Sequence, residues 1–250
     1  MITYRNKFLR IARIWFNEAV PEQDVDIVYY SQRDTPLPLS RWEEFHTIVI
    51  DLRQPEKTLF AQFKKDTRNE VRRAAGTDRV VCQRPVKCPS DLLERFYDFY
   101  GRFAAQKNRP GVDRRVLNLL HTSGELHISS AESAAGNPLV FHAYYVSPLR
   151  VRLLYSASLF RESSDAGERN SIGRSNRCLH WNDMIHFKHD GVAQYDLGGW
   201  YAGTTDEEKL RINRFKEEFG GTLAKGYNGV RGLTVTGNVA LMVNRLLRDH

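Results

Sequence analysis

The sequence predicts an α/β protein in which a mixed (α+β) sheet carries helices on both faces, and three observations lead there. Turns at Ala135-Gly136-Asn137-Pro138 and Ser147-Pro148 separate three strand-like runs closely enough to make them antiparallel neighbours. Helical and strand patterns then alternate from Arg174 to Tyr227, the order of βαβ crossovers. The 250 residues are 41% hydrophobic and 27% charged, enough for a sizeable core and unlike disordered, collagenous or membrane-spanning chains.

Each element has a local reason. Val25–Tyr30 and His46–Leu52 are rich in Ile, Val and Tyr and bounded by turn residues, so they read as strands. A helix follows Gln54-Pro55 and stops at Gly76; Phe60, Phe63, Thr67, Val71 and Ala74 form its apolar stripe, and Lys64, Arg68 and Arg72 a cationic ridge beside it. Arg79–Gln83 is a short strand. Pro89-Ser90-Asp91 opens a helix with Leu92, Phe96, Phe99 and Phe103 on one face, and another helix runs from Asp113 to about Thr122. The antiparallel strands are Glu125–Ala131, Leu139–Ser147 and Arg150–Phe160. A helix from about Arg174 to Lys188, a strand Val192–Leu197, a helix Asp206–Phe219, a strand Thr222–Tyr227 and a terminal amphipathic helix Asn238–Arg248 complete the order.

Three cysteines, Cys82, Cys88 and Cys178, form no CxxC pair and leave one over, so a disulfide framework is not expected and a reducing cytoplasm is. The early apolar run Phe8–Phe16 is broken by Arg10 and Arg13, which argues against a signal peptide or a membrane span. Thirty-seven Lys and Arg against thirty Asp and Glu give +7, a field that suits anionic partners: nucleic acid, nucleotide-sugar, CoA or anionic lipid.

From the strand near Val80 onward the element order resembles the GNAT acyltransferase fold, here with an N-terminal β/α extension. In that fold the turn after the fourth strand offers backbone N–H groups to a pyrophosphate; Asn170-x-x-Gly173-x-Ser175 resembles a degenerate copy of its Q/R-x-x-G-x-G/A motif. Tyr195-Asp196-Leu197-Gly198-Gly199-Trp200, followed by Phe215-Lys216-Glu217-Glu218-Phe219-Gly220, resembles the YDxxG and FKxxFG motifs of the Fem family, the FemA/FemB/FemX-like transferases that move an amino acid from aminoacyl-tRNA to an amine. Lys64-Lys65-x-x-Arg68-x-x-x-Arg72 is similar to that family's basic helix. Members usually carry two GNAT-like halves. This chain can hold one, over 79–250, with residues 1–78 as a remnant of the other.

The resemblance implies roles. Lys216 and Asp196 would be catalytic; Lys64, Arg68, Arg72, Gly173, Arg174 and Phe215 would bind the donor; Tyr195, Trp200 and Tyr201 would line the acceptor site. Taken alone, Asp196 reads equally as a ligand residue at a strand end or as a structural turn carboxylate, and Lys216 as a stem along the core edge or a solvated lysine. No metal is expected, since His186 and His189 lack a further ligand at zinc spacing, and there is no nucleophile elbow, P-loop or complete dinucleotide fingerprint. His127, His142 and His180 read as core-edge or surface residues, and Tyr144, Tyr145, Tyr155 and Trp181 as packing, with one of these four aromatic residues the alternative lining of an acceptor groove.

The expected activity is aminoacyl transfer from aminoacyl-tRNA to an amine of a cell-wall precursor, sugar or small metabolite, with tRNA as partner and no resident cofactor. The alternatives are an acyl-CoA-dependent N-acyltransferase and a non-catalytic RNA-binding module on the same scaffold.

Overall fold

Alternating apolar residues and tight turns make the strands, and capped amphipathic segments make the helices. The computed structural model describes residues 1–19, 24–38, 41–160 and 164–246, with side chains to residue 244. The strands are β1 (Ile2–Asn6), β2 (Leu9–Trp15), β3 (Ile27–Arg33), β4 (Arg41–Asp51), β5 (Val81–Gln83), β6 (Leu126–Glu132), β7 (Pro138–Val146), β8 (Arg150–Ser158), β9 (Gln194–Trp200) and β10 (Thr222–Gly232). The helices are α1 (Glu56–Gln62), α2 (Lys65–Gly76), α3 (Ser90–Gln106), α4 (Arg114–Thr122), α5 (Ala166–His189), α6 (Glu207–Glu217) and α7 (Val235–Leu246). From β5 to β10 the order is the one the sequence predicts. The chain divides into two units, Ile48–Thr222 and the segments before and after it.

In the terminal unit the strand order is β1-β2-β3-β10-β4, with β2 and β3 parallel and β3 and β10 antiparallel. Its core is Ala12, Ile14, Val25, Val28 and Tyr30, with Leu37 and Trp42 against it. Strands β1 and β2 were not expected, because Arg10 and Arg13 interrupt the apolar pattern. Arg10 is absorbed by Asp24 and Asp26, and the Arg13 guanidinium lies 5.4 Å from the centre of the Tyr29 ring.

In the larger unit the order is β4-β9-β8-β7-β6-β5. The meander β5 to β8 is antiparallel, and β8 and β9 are parallel in the register Arg150↔Gln194, Val151↔Tyr195, Arg152↔Asp196. Its core gathers Ile48, Ile50, Leu59, Phe63, Tyr144, Met184, Phe187, Tyr195, Leu197 and Phe219.

Two helical expectations are corrected. The helix expected from Pro55 to Gly76 is broken at Phe63 and Lys64, both in extended conformation (ψ 145° and 149°). The break seats the Phe63 ring edge-on to Trp181 and Phe219 and lets the Lys64 N–H donate to the Glu218 carbonyl at 2.9 Å. Helix α5 begins two turns earlier than Arg174, because the Asp165 carboxylate caps it by accepting the Glu168 N–H at 2.6 Å.

Buried at the centre of the larger unit is a hydrogen-bonded network. The Asp183 Oδ2 accepts from Ser129 (2.9 Å), His142 Nδ1 (2.9 Å) and the Tyr144 hydroxyl (2.6 Å); Tyr144 meets the Tyr195 hydroxyl at 2.7 Å, which in turn meets His180 Nδ1 at 2.7 Å. Each hydroxyl has one proton, so the consistent order of donation is His180 to Tyr195 to Tyr144 to Asp183. Burial pushes both tyrosines well above, and His180 well below, their ordinary pKa values, which keeps all three neutral. His142 and His180 are thus core residues that tie β6, β7 and β9 to α5.

Candidate active site

The exit of β9 builds the site. Asp196 is fully buried on a strand flanked by β4 and β8; its Oδ2 accepts from Arg150 Nε at 3.0 Å and Nη2 at 2.5 Å, and its Oδ1 accepts the Gly198 N–H at 2.7 Å. That last bond closes a turn with Gly198 at φ +73°, where an added Cβ would stand 2.8 Å from the Leu153 carbonyl oxygen. Only glycine fits. The turn presents the carbonyl oxygens of Gly198 and Gly199, and the Lys216 ammonium donates to both, at 2.9 and 2.5 Å.

Lys216 lies on α6, whose start is fixed by the Asp206 side chain accepting the Lys209 N–H at 3.1 Å. Phe215 on that helix and Phe219 just past its end pack ring to ring at 5.2 Å, Phe219 packs on His180 at 4.8 Å, and Lys216 is 9% exposed. Gly221, just past the helix, has φ +86°, and a Cβ there would be 2.7 Å from the Val49 carbonyl oxygen. Burial lowers the Lys216 pKa to about 8; Asp196 opposes the drop and Arg152 adds to it. At neutral pH the group is mainly a cation with two of its three protons engaged.

Beside it is a cavity of about 250 Å³ lined by Gly199, Trp200, Tyr201, Lys209, Ile212 and Asn213. Asn213 shapes it by pairing twice with the Tyr201 backbone: its Oδ1 accepts the N–H at 3.0 Å and its Nδ2 donates to the C=O at 2.7 Å. Lys209 Nζ stands 4.9 Å from the Tyr201 ring centre. Gly199 joins the two features, since its carbonyl accepts from Lys216 and the residue lines the cavity. A buried cation behind the wall of a small aromatic cavity can meet negative charge that develops on a bound carbonyl.

The expected residues distribute unevenly. Lys216, Asp196, Trp200 and Tyr201 come together around the β9 exit. Tyr195 does not line the cavity, because strand alternation turns its ring into the core, where its hydroxyl serves the buried network. Phe215 is half-buried against His180 and the Arg177 guanidinium. The phosphate-binding turn expected at Asn170–Ser175 is corrected: these residues are inside α5, so Gly173 offers no free N–H, and Ser175 Oγ donates to the Ser171 carbonyl within the helix. Arg174 is held by Asp78 at 2.6 and 3.0 Å.

Lys64, just before α2, and Arg72 on it are exposed, and the Arg72 guanidinium rides 5.2 Å from the Phe60 ring centre. Arg68 instead caps α1 by donating to the carbonyls of Ala61 and Phe63. This surface reaches the site through Glu218, two residues past Lys216, whose carboxylate accepts from Arg177 Nη2 at 2.7 Å and Thr67 at 3.3 Å. Sequence reasoning missed Arg150 and Asn213. For Arg150 a signal existed in the parallel pairing of β8 with β9; for Asn213, a polar residue on the apolar side of α6 was the hint.

No protein-family model matches the sequence, and no curated protein matches it. Solved structures do. The chain superposes on FemX with a TM-score of 0.60 at 14% identity, over 74% of this chain and 61% of that one. In fold it is similar to FemX. The chain spans less than two thirds of FemX. The C-terminal domain of a putative lysylphosphatidylglycerol synthetase from Agrobacterium fabrum matches with a TM-score of 0.58 at 15% identity over 98% of this chain and 84% of that domain. L-PGS from Bacillus licheniformis gives 0.52 at 12% identity over 89% and 74%. The mixed α/β sheet read from the sequence is observed, and the expected likeness to FemX holds at the level of fold.

Proposed function

We propose that the chain is an acyltransferase that moves an aminoacyl group from aminoacyl-tRNA to an amine of a cell-wall precursor, sugar or small metabolite. The observation that carries this reading is the buried Lys216 ammonium on the Gly198–Gly199 turn, joined through Gly199 to the Trp200–Tyr201 cavity. The acceptor amine attacks the ester carbonyl, the C–N bond forms as negative charge gathers on the carbonyl oxygen, and the C–O bond to the ribose then breaks, the ribose oxygen taking up the proton that the amine nitrogen gives up. Lys216 stabilises that charge, while Asp196 and Arg150 fix the turn, so catalysis is positioning plus electrostatics with no covalent enzyme intermediate.

The donor assignment rests on the fold and on charge. Lys64, Lys65, Arg72 and Arg73 form an exposed basic surface suited to a phosphodiester backbone. With residues 170–175 inside α5, the backbone cradle for a CoA pyrophosphate is missing from its expected place, which weighs against the acyl-CoA alternative. One neighbour is titled a putative lysylphosphatidylglycerol synthetase, a name in keeping with aminoacyl transfer. Among the described residues, no helix is long and apolar enough to cross a membrane.

The test is to incubate the chain with a pool of charged tRNA and, separately, with acetyl-CoA, each with mixed amine acceptors. Acceptor-dependent loss of the aminoacyl ester supports the reading. Consumption of acetyl-CoA alone assigns the N-acyltransferase, and tRNA binding with neither donor consumed assigns the RNA-binding module.

A further inference from the structure

Cys82 and Cys178 are 96 residues apart in sequence, yet their sulfurs lie 3.9 Å apart. Cys82 is half-buried on β5, an edge strand that pairs only with β6 among the described residues, and Cys178 is buried on α5. They meet where β5 packs on α5, beside the small apolar cluster of Ala131, Val140, Ile172 and Leu179. Neither sulfur serves the β9 exit.

We propose that Cys82 and Cys178 are an oxidation site, a dithiol that closes to a disulfide under peroxide and fastens β5 to α5. Bonding requires the sulfurs to approach to about 2.05 Å, a shift of under 2 Å that side-chain rotation at an edge strand can supply. The sulfur of Cys178 accepts from the Cys82 thiol and from Asn182 Nδ2 at 3.5 Å, which favours its thiolate and lowers its pKa. Cys178 is therefore the attacking sulfur and Cys82, the more exposed partner, the resolving one.

The chemistry balances with hydrogen peroxide as oxidant. The Cys178 thiolate attacks one peroxide oxygen, the O–O bond breaks, hydroxide leaves, and a sulfenic acid forms. The Cys82 sulfur then attacks the Cys178 sulfur, the S–S bond forms, and the sulfenic hydroxyl departs as water with the Cys82 proton. Two thiols lose two electrons and peroxide becomes two waters. Cys88, whose thiol faces the Pro89 carbonyl at 3.7 Å, has no sulfur within reach among the described residues.

The experiment treats the folded full chain with hydrogen peroxide, alkylates it after denaturation and maps the peptides. The expected result is a dithiothreitol-reversible mass loss of two hydrogens, a cross-linked peptide pair containing Cys82 and Cys178, and Cys88 alkylated. In Cys82→Ser, checked for folding by circular dichroism, the cross-link is absent and Cys178 is trapped by dimedone as its sulfenic acid. Alkylation of both Cys82 and Cys178 after peroxide treatment of the wild type, or a cross-link made through Cys88, overturns the proposal.

Discussion

The Lys216 ammonium donates to the Gly198 carbonyl at 2.9 Å, a contact that links the last turn of α6 to a glycine bend eighteen residues earlier in the chain. Neither residue is informative by itself. The bend exists because Asp196 accepts the Gly198 N–H and glycine tolerates φ +73°, and the lysine that meets it is 9% exposed.

That bend should not survive a side chain. Gly198→Ala adds a Cβ 2.8 Å from the Leu153 carbonyl oxygen at a positive φ. It should destabilise by about 1–3 kcal/mol and reduce transfer, since both Lys216 acceptors move with the turn. Urea titration alongside a transfer assay checks both effects; a variant as stable and active as the wild type would show that the turn needs no glycine.

Gly173 makes the opposite case. It is inside α5, and an added Cβ meets only the Arg177 Nη1, at 3.8 Å. Gly173→Ala should therefore stabilise by about 0.5–1 kcal/mol and leave donor binding unchanged. A donor-binding defect in this variant, measured by filter retention of charged tRNA, would restore the phosphate-turn reading.

The basic residues of α2 and of the break before it should separate into two kinds. Lys64→Gln and Arg72→Gln should leave the melting temperature close to wild type and flatten the salt dependence of tRNA binding by roughly 0.7 to 0.9 log units per lost phosphate contact. Arg68→Gln should lower the melting temperature as well, because it uncaps the carbonyls of Ala61 and Phe63. An unchanged salt slope in the first two would leave them as a solvated face.

The pH dependence follows from Lys216. Its folded pKa, about 8, lies below the ordinary lysine value of 10.5, so between these values the unfolded chain holds the proton and the folded chain does not. Stability of the wild type relative to Lys216→Met should thus rise with pH across that window, while transfer, which needs the ammonium, should fall as pH passes through about 8. Calorimetry of the two proteins from pH 7 to 10 and a rate profile over the same range check the two signs.

Much of this was legible in the sequence, for identifiable reasons. The element order from β5 to β10 could be read because proline, glycine and capping aspartates mark its boundaries, as Asp113 and Asp206 do. The meeting of Asp196, Lys216, Trp200 and Tyr201 was legible only through motif resemblance, since spacing alone leaves a solvated lysine as good a reading. Three things were hidden. The break at Phe63 depends on Trp181 and Phe219, which are remote in sequence. The inward turn of Tyr195 depends on Tyr144 and His180. The early start of α5 was masked because Asn170–Ser175, rich in small polar residues, looks like a loop in isolation.

The most direct test is the single-turnover rate of aminoacyl transfer by Lys216→Met. Methionine keeps most of the aliphatic stem and removes the charge. The variant should fold, bind charged tRNA with near wild-type affinity, and transfer roughly 100 to 1000 times more slowly, the usual cost of losing one oxyanion-type donor. Transfer at the wild-type rate would contradict the assignment of Lys216 and, with it, the reading of the β9 exit as the reacting centre.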